Sequence, residues 1–249
     1  PGAFAYKHSP AAFAEHLSRI AEAQVRPSLV TDLDLTRPAR HVLLTFDDGG
    51  KSALTTGELL ETRGWKGHFF IVTSLIGSRT FIDLDGIRAL HAAGHMIGSH
   101  SHTHPNIFRD LEPARMVEEW RLSSDILSQI TGAPCVSASV PGGDISTRVL
   151  ASADSAGLRY LFTSEPWLTP RRSGGCAILG RYSVKVTTSA AQVGALTRFR
   201  GWHSALLRRR LKVWATRALP PLYRLYIRTR TTSASGTSDV SDRIRSPNP

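Results

Sequence analysis

The sequence predicts an α/β fold built around a parallel β-sheet. From residue 41 onwards, short apolar runs typical of strands alternate with longer segments of helical periodicity. Some helical segments end at a glycine, such as Gly64 and Gly94, which closes a helix readily. Strands and helices that alternate at this spacing form parallel sheets with right-handed crossovers, arranged as a barrel or as an open doubly wound sheet. At 249 residues, the chain can bury the core of one such domain.

The predicted elements begin with a helix over residues 9–24, which has Ser9 as its N-cap and Pro10 at its first position. The first strand follows at 41–46 and leads into a helix at 52–63. Further strands are predicted at 67–73, 95–99, 135–140, 158–164 and 176–184. Further helices are predicted at 83–93, 113–130 and 145–156. In either arrangement, reactive residues are expected at the carboxyl ends of the strands.

The positive charge of the chain is concentrated near its C terminus. The net charge is +11, and residues 198–230 contain ten Lys or Arg and no Asp or Glu. We expect this segment to pack against the sheet domain with a solvated arginine face. Because apolar residues are interleaved with the arginines, peripheral contact of 198–230 with an anionic membrane is the second interpretation. Specific nucleic-acid binding is not expected, since no recognition motif accompanies the charge.

These patterns divide the chain into four predicted parts. An N-terminal helix and lead-in occupy residues 1–40, and the (β/α) domain occupies 41–190. A basic amphipathic helical segment spans 191–230. The last residues, 231–249, are rich in Ser, Thr, Gly, Asp and Pro and are predicted to be a disordered tail.

Composition limits the class of protein. No apolar run approaches the ~20 residues needed to cross a bilayer. Two cysteines, Cys135 and Cys176, exclude a disulfide framework; a single bridge is the alternative, and we expect both thiols to be free and buried. The first residues lack the pattern of a signal peptide. We therefore expect a protein that is cytoplasmic or peripheral to the cytoplasmic membrane, or exported if a leader precedes Pro1.

The strongest local signal for chemistry is the histidine-rich run SHSHTHPN at residues 99–106. His100 and His104 are four residues apart, so they share one face of a helical turn or converge in a tight loop. With one carboxylate they match the ligands of an open catalytic zinc site. Asp48, at the end of the first strand, supplies that carboxylate. His102 would point elsewhere and is predicted to lie behind the ligands or at the rim.

A catalytic base is predicted at Asp47, beside the expected metal ligand Asp48. No Glu follows His100 as the zincin motif requires, so the base must come from another part of the chain. Gly49 and Gly50 permit the backbone kink that lets two adjacent carboxylates take different roles. An Asp-Asp-Gly-Gly sequence is by itself often a simple turn, and histidine-rich loops are often adventitious metal binders. Their positions at the ends of the first and third strands favour a metal site.

TFDDGG at 45–50 and GHMIGSHSHTHP at 94–105 resemble the first two motifs of the polysaccharide deacetylases, carbohydrate esterase family 4, which share the NodB homology domain. The resemblance covers approximately residues 40–185. It implies a distorted (β/α) barrel, here with a basic C-terminal helical appendage. It also implies that Asp47 is the catalytic base. Asp48, His100 and His104 are then the ligands of a divalent metal, commonly zinc.

The chain departs from the family pattern in two places. In SVPGGD at 139–144, Pro141 and Gly143 match the third family motif, but Ser139 stands where an arginine that orients the base is expected. A backbone N–H near Gly142 is a candidate for stabilising the oxyanion. The last family motif, which ends in a histidine that protonates the leaving amine, is not recognisable. His203 is the one remaining candidate for this acid because it is the only histidine after His104.

The resemblance implies a metal-dependent hydrolase that removes acetyl groups, foremost N-acetyl groups, from sugars of a polysaccharide or its lipid-linked precursor. The expected partner is therefore an acetylated polysaccharide or oligosaccharide, and Trp167 is a candidate wall of the sugar site. Two alternatives stay open. The missing acid would matter less for an O-acetyl esterase, and the missing arginine and histidine also fit a non-catalytic, metal-containing glycan-binding protein.

Overall fold

A computed structural model describes residues 3–143 and 145–218 of the chain. The strands are β1 (Thr45–Phe46), β2 (His68–Ile71), β3 (Met96–Ser99), β4 (Ser137–Ser139), β5 (Tyr160–Phe162), β6 (Arg171–Ser173) and β7 (Cys176–Leu179). The helices are α1 (Pro10–Ala21), α2 (Ser52–Glu61), α3 (Leu84–Ala92), α4 (Pro113–Thr131), α5 (Thr147–Ser155), α6 (Ala190–Thr197) and α7 (Trp202–Ala218). One sheet contains all seven strands in the order β1-β2-β3-β4-β5-β7-β6. Every neighbouring pair is parallel except β6 with β7.

The sheet curls strongly enough to bring distant strands face to face. Phe70 on β2 and Phe162 on β5 have ring centroids 5.2 Å apart. Three strand spacings separate these strands in a flat sheet, or about 14 Å. Both rings belong to an inner apolar cluster that also contains Val30 and Leu179. The curled sheet is thus a half-barrel, which confirms the predicted barrel rather than a flat doubly wound sheet.

Helices cover the outside of the curled sheet in two groups. Leu17 of α1, Leu60 of α2 and Ile87 of α3 belong to one buried cluster with residues of β2 and β3. Trp120 of α4 and Val149 of α5 belong to a second, beside β4, β5 and β7. Helix α6 packs against α1. This layering is the usual consequence of right-handed crossovers between parallel strands.

The start of α1 agrees with the sequence prediction. The Ser9 hydroxyl accepts a hydrogen bond from the Ala12 amide, and Pro10 occupies the first turn.

The prediction was wrong at the strand that was expected to span 176–184, because β7 ends at Leu179. A side chain at Gly180 would lie 2.3 Å from the Trp167 carbonyl oxygen, so the loop before β6 packs directly on this glycine.

Two further predicted strand boundaries also differ from the structure. The strand predicted at 41–46 pairs with β2 as a strand only over Thr45–Phe46. The stretch between the strands predicted at 158–164 and 176–184, for which no element is predicted, contains β6, which forms a hairpin with β7. The turn at Gly174 has φ = 57°, in the left-handed region, and Asp154 fills the space where a side chain would lie. These departures reflect tertiary contacts that local propensity does not contain.

The predicted basic segment at 191–230 contains α6 and then helix α7, which packs on the sheet domain. Ala205 is buried, and the indole N–H of Trp202 donates to the Leu196 carbonyl at 3.0 Å. Residues 219–230 and the predicted tail at 231–249 lie outside the described residues. Within the described part of the chain, no helix is both long and apolar enough to cross a membrane. The predicted division into four parts stays a prediction.

The two cysteines are both free in the structure, as predicted. Cys176 is buried, whereas Cys135 is only partly buried. Neither thiol therefore cross-links the domain, and its stability depends on the packed apolar clusters.

His68, at the start of β2, is a fully buried and neutral imidazole. Its Nε2 atom accepts a hydrogen bond from the Val30 amide at 3.0 Å, and its Nδ1–H donates to the Leu44 carbonyl at 2.9 Å. Burial lowers the pKa of His68 to about 4, although the bond to the Leu44 carbonyl opposes this shift. Protonation of Nε2 would break the bond with Val30 and bury a charge.

We expect His68 to make the fold sensitive to mild acid. Its pKa is lower in the folded state than the ordinary value of about 6.5, so its contribution is complete above that pH and is lost as the pH falls towards 4. The full loss corresponds to about 3 kcal/mol of unfolding free energy. Denaturant titrations between pH 7 and pH 4 should therefore show a steeper fall for the wild type than for His68→Gln. Parallel curves would contradict this assignment.

Candidate active site

The ends of β1 and β3 place the candidate ligands at one rim of the half-barrel. Asp47 and Asp48 directly follow β1, and His100 directly follows β3. The His100 amide donates to the Ile71 carbonyl at 2.8 Å, which holds its backbone against the end of β2. Asp48 has φ = 74°, a left-handed conformation that is uncommon for a residue other than glycine. This turn directs the side chains of two adjacent aspartates to different neighbours.

Three of the predicted residues converge at this rim. The Nε2 atoms of His100 and His104 lie 3.3 and 3.7 Å from Oδ1 of Asp48. All three candidate donor atoms lie within 4.8 Å of one another. Ligands about 2.1 Å from a tetrahedral ion are about 3.4 Å apart, so this spacing fits a divalent cation. Two imidazoles and one carboxylate leave a fourth position open, as in catalytic zinc sites.

The imidazole of His100 is oriented for ligation. Its Nδ1–H donates to the Ser139 carbonyl at 2.9 Å, which leaves the lone pair of Nε2 directed at Asp48. Burial lowers the pKa of His100, but the carboxylates of Asp47 and Asp48 outweigh burial and hold the pKa above its usual value. The electrostatic environment at Nε2 therefore favours a positive charge there, and a metal ion would satisfy the same preference.

Glu119 holds the histidine loop in place from behind. This buried carboxylate of α4 accepts hydrogen bonds from both the amide and the hydroxyl of Thr103, each at 2.8 Å. Arg115 neutralises it at 2.9 Å. On the other side of the loop, the His104 amide donates to the Ser101 hydroxyl at 3.0 Å. These contacts fix the left-handed backbone of His104, whose φ is 53°. The sequence analysis missed Glu119.

His102 is directed away from the three candidate ligands. Its Nδ1 atom lies 2.9 Å from the hydroxyl of the buried Thr73, next to β2. The amide of Ser74 also donates to the His102 carbonyl at 2.9 Å. His102 therefore ties the histidine loop to the end of β2.

Asp47 is paired with an arginine that the sequence analysis did not single out. Both oxygens of its carboxylate accept from the Arg181 guanidinium, at 2.8 and 3.0 Å. Burial raises the pKa of Asp47, but the charges of Arg181 and His100 and a hydrogen bond from Ser139 outweigh it, so that the pKa falls to about 2. Asp47 is thus an ionised carboxylate beside the three candidate ligands and is not one of them.

Arg181 also contacts Ser139, the residue that stands where the family motif has an arginine. Besides Asp47, its guanidinium donates to the Ser139 hydroxyl at 2.7 Å and to the Thr163 carbonyl at 2.9 Å. The resemblance implies an arginine at position 139, and here an arginine that follows β7 pairs with the predicted base instead. In the sequence, Arg181 stands two residues after the apolar run 176–179, which could have marked it as a residue at a strand end. The predicted strand ran to residue 184, so Arg181 was placed inside the strand instead.

The loop after β4 lies beside the site and is shaped by glycines. Gly142 and Gly143 have φ values of 65° and 70°, and the Ser164 side chain fills the space where a side chain of Gly143 would lie. Pro141 is buried at the start of this turn. The Gly143 carbonyl accepts a long hydrogen bond, 3.4 Å, from Arg209 of α7. Helix α7 therefore contacts the loop that was predicted to bind substrate.

The two remaining candidates are Trp167 and His203. Trp167 follows β5, packs beside the second outer cluster and stacks under the Arg171 guanidinium, which is 3.9 Å from its ring centroid. His203 is exposed on α7. Among the described residues, His203 makes no hydrogen bond or ion pair with Asp47 or with the three candidate ligands. The geometry does not bring His203 into contact with the three ligands.

A family model described as polysaccharide deacetylase matches residues 34–161 of this chain, which is half of its length. The chain belongs to the polysaccharide deacetylase family. The matched region contains the two aspartates, the histidine loop and the Pro141–Gly143 turn. It ends before β7, so Arg181 lies outside it.

Individual relatives resemble parts of this chain, and the solved structures among them support the fold. Part of a gellan lyase from a Bacillus species is 35% identical over 101 residues, which are 40% of this chain and 4% of the lyase. The chain spans less than half the length of the curated relatives it matches. Among solved structures, the deacetylase PplD of Streptococcus pyogenes, in complex with acetate, aligns with a TM-score of 0.66 and 19% identity over 74% of this chain and 84% of that one. The polysaccharide deacetylase BC0361 of Bacillus cereus aligns with a TM-score of 0.67 and 17% identity over 76% of this chain and 61% of that one.

We expect Glu119→Gln to weaken metal binding without a direct contact to the metal. A neutral amide cannot accept from both donors of Thr103 and still pair with Arg115, so the loop that carries His104 loses its support. Zn²⁺ affinity, measured by competition with a chromogenic chelator, should fall at least about tenfold. The matched control is Glu118→Gln, which removes an exposed partner of the same arginine. Equal affinities in the two variants would show that the loop does not need Glu119.

Proposed function

We propose that this protein is a metal-dependent hydrolase that removes acetyl groups, foremost N-acetyl groups, from sugars of a polysaccharide or its lipid-linked precursor. The observation that carries the proposal is the position of Asp47. It lies beside three candidate ligands, is not one of them, and is kept ionised by Arg181. A structural metal site needs a ligand carboxylate but has no use for a second, unliganded one next to it.

Asp48, His100 and His104 would hold the metal, with zinc as the expected ion. A divalent ion there supplies a Lewis acid that acidifies water and polarises the acetyl carbonyl. Asp47 would accept the proton of the attacking water on its exposed side, since a third of its side chain is accessible. The bidentate contact with Arg181 fixes the carboxylate plane for that transfer.

The turn at 141–143 would complete the environment of the reacting carbonyl. The backbone N–H of Gly142 is the candidate donor to the oxyanion, because backbone donors fixed in a tight turn stabilise charge without reorganising. Arg209 and Ser164 pack against this turn and hold its left-handed backbone. Trp167, after β5, is the candidate wall for a sugar ring.

An O-acetyl ester is the second candidate substrate, and the position of His203 favours it. An alkoxide leaves with less help from an acid than an amine does, and His203 is exposed without a contact to the ligands. The same acetate assay on N-acetylated and O-acetylated sugars distinguishes the two substrates.

The central test compares zinc-loaded wild type with Asp47→Asn on a panel of N- and O-acetylated glycans. We expect the wild type to release acetate and the variant to lose about 10²–10⁴-fold in kcat, since it lacks the general base. Bound zinc, quantified in the same samples, should be unchanged in Asp47→Asn and lost in Asp48→Asn. Asp85→Asn, an exposed position on α3, is the matched control for one lost charge.

Two results would contradict this assignment. Loss of zinc from Asp47→Asn would make Asp47 a ligand rather than the base. A fully loaded wild type that binds glycans but releases no acetate would identify a non-catalytic glycan-binding protein.

A second test concerns the arginine that positions the base. Arg181→Ala should lower kcat about a hundredfold or more while KM and bound zinc change little, because Asp47 loses its orientation. Adding Ser139→Arg to this variant restores a guanidinium at the position that the family motif favours, so kcat should recover at least tenfold. Arg172→Ala, on the exposed strand β6, is the control. No recovery, together with a wild-type fold, would mean that the location of Arg181 just after β7 is itself required.

A further inference from the structure

Helix α7 is fixed to the rim that carries the candidate active site. Nε of Arg209 pairs with Oε1 of Glu165 at 2.8 Å, and both side chains are largely buried. The same guanidinium reaches the Gly143 carbonyl, and Ala205, one turn earlier, is buried. These contacts join α7 to the loops that follow β4 and β5. The inner face of the helix is therefore used for docking on its own domain.

The outer face of α7 carries apolar side chains that nothing in the described chain covers. Leu207 is 59% exposed and Leu211, one turn later, is 57% exposed. Ser204 and Arg208 are also exposed on the described part of the helix. Two exposed leucines one turn apart form a small apolar patch on an otherwise basic helix. This surface, defined by Leu207, Leu211 and Arg208, is called the α7 outer face below.

Another exposed apolar residue lies in a loop that α7 contacts. Leu168 is 45% exposed in the loop after β5, three residues beyond the Glu165 that pairs with α7. The exposed cations Arg171 and Arg172 follow in the same hairpin. The loop that α7 contacts therefore also carries an exposed leucine and exposed arginines.

We propose that the α7 outer face docks on an anionic lipid bilayer, with Leu207 and Leu211 entering the interface and Arg208 at the lipid headgroups. Charge complementarity identifies this partner, because residues 198–230 contain ten cations and no acidic residue. Amphipathic helices with basic polar positions and exposed leucines bind such surfaces in this way. The candidate active site then lies on the side of the protein that faces the membrane.

Other partners fit this surface less well. A second copy of the chain would bring an equally basic helix against this one, and two leucines cover far less than the ~800 Å² that each partner buries in a stable interface. A nucleic acid would pair with the arginines but gives aliphatic leucines little to contact, since bases stack on aromatic rings. An anionic bilayer offers negative headgroups to the arginines and an apolar interior to the leucines.

Docking of α7 on a membrane also defines the substrate class more closely, which rests on the proposed function. A hydrolase docked through the rim beside its active site acts on acetylated glycans that are displayed at the membrane surface, such as lipid-linked chains. A freely diffusing glycan would gain nothing from that orientation.

The test is co-sedimentation of the full chain with vesicles of phosphatidylcholine alone or mixed with phosphatidylglycerol. Wild type should bind the anionic vesicles and bind the neutral ones weakly. Leu207→Ser with Leu211→Ser should lower the partition coefficient on anionic vesicles at least about tenfold, because two buried leucines are lost. The matched control is Leu54→Ser with Leu122→Ser, which alters two exposed leucines on α2 and α4 and should bind as wild type does.

Several outcomes would overturn the proposal. These are no binding of wild type to anionic vesicles, equal binding by the Leu207/Leu211 variant, or an equal loss in the control variant. Light scattering that shows a dimer in wild type and a monomer in the Leu207/Leu211 variant would assign the surface to a second copy. Binding of duplex DNA that exceeds vesicle binding and is unaffected by the leucine changes would assign it to nucleic acid.

The two proposals fail independently. Asp47→Asn should bind vesicles as wild type does, and the Leu207/Leu211 variant should keep wild-type acetate release from a soluble acetylated oligosaccharide. Vesicle binding without any acetate release would overturn the proposed function alone. Acetate release without vesicle binding would overturn the docking of α7 alone.

Discussion

The guanidinium of Arg181 joins the ends of four strands of the half-barrel. It extends from β7 to Asp47 and Thr45 at β1, and it also contacts residues of β4 and β5. Within the described residues, β1 and β7 are not paired with each other, so this side chain links the two sides of the curled sheet at the rim. A largely buried cation must be fully partnered to be tolerated, and its partners include the predicted base. The same contact therefore stabilises the rim and positions the chemistry.

Adjacent aspartates with different partners are the second feature of the site. Asp47 and Asp48 are neighbours in sequence, and two carboxylates at one place repel each other. The left-handed backbone at Asp48 separates their directions, so that one faces Arg181 and the other faces His100 and His104. Asp47 is thus paired with the arginine, whereas Asp48 faces the site where a cation fits. This separation lets one carboxylate ligate while the other remains a base.

The surroundings of the site connect it to the exterior of the protein. Glu119 supports the histidine loop from α4, and Arg209 supports the turn at 141–143 from α7. Both supports are charged side chains that accept or donate to backbone groups of otherwise irregular loops, which must be satisfied when buried. The outer helices therefore determine the geometry of the rim as well as covering the sheet. Helix α7 therefore carries the outer face that we assign to lipid and also contacts the turn at 141–143.

The sequence by itself determined the features that depend on near neighbours. Three features depend only on residues a few positions apart: helix α1 with its Ser9 cap, the kink after β1, and the paired histidines of 99–106. Because parallel strands present their carboxyl ends at one rim, these spacings were also sufficient to predict that Asp48 and His100 would meet. Only the tertiary structure decided where β7 ends, since that depends on the Trp167 carbonyl packing on Gly180. It also decided that Arg181 would pair with an aspartate 134 residues away, because no local pattern records which distant charges are brought together when a sheet curls.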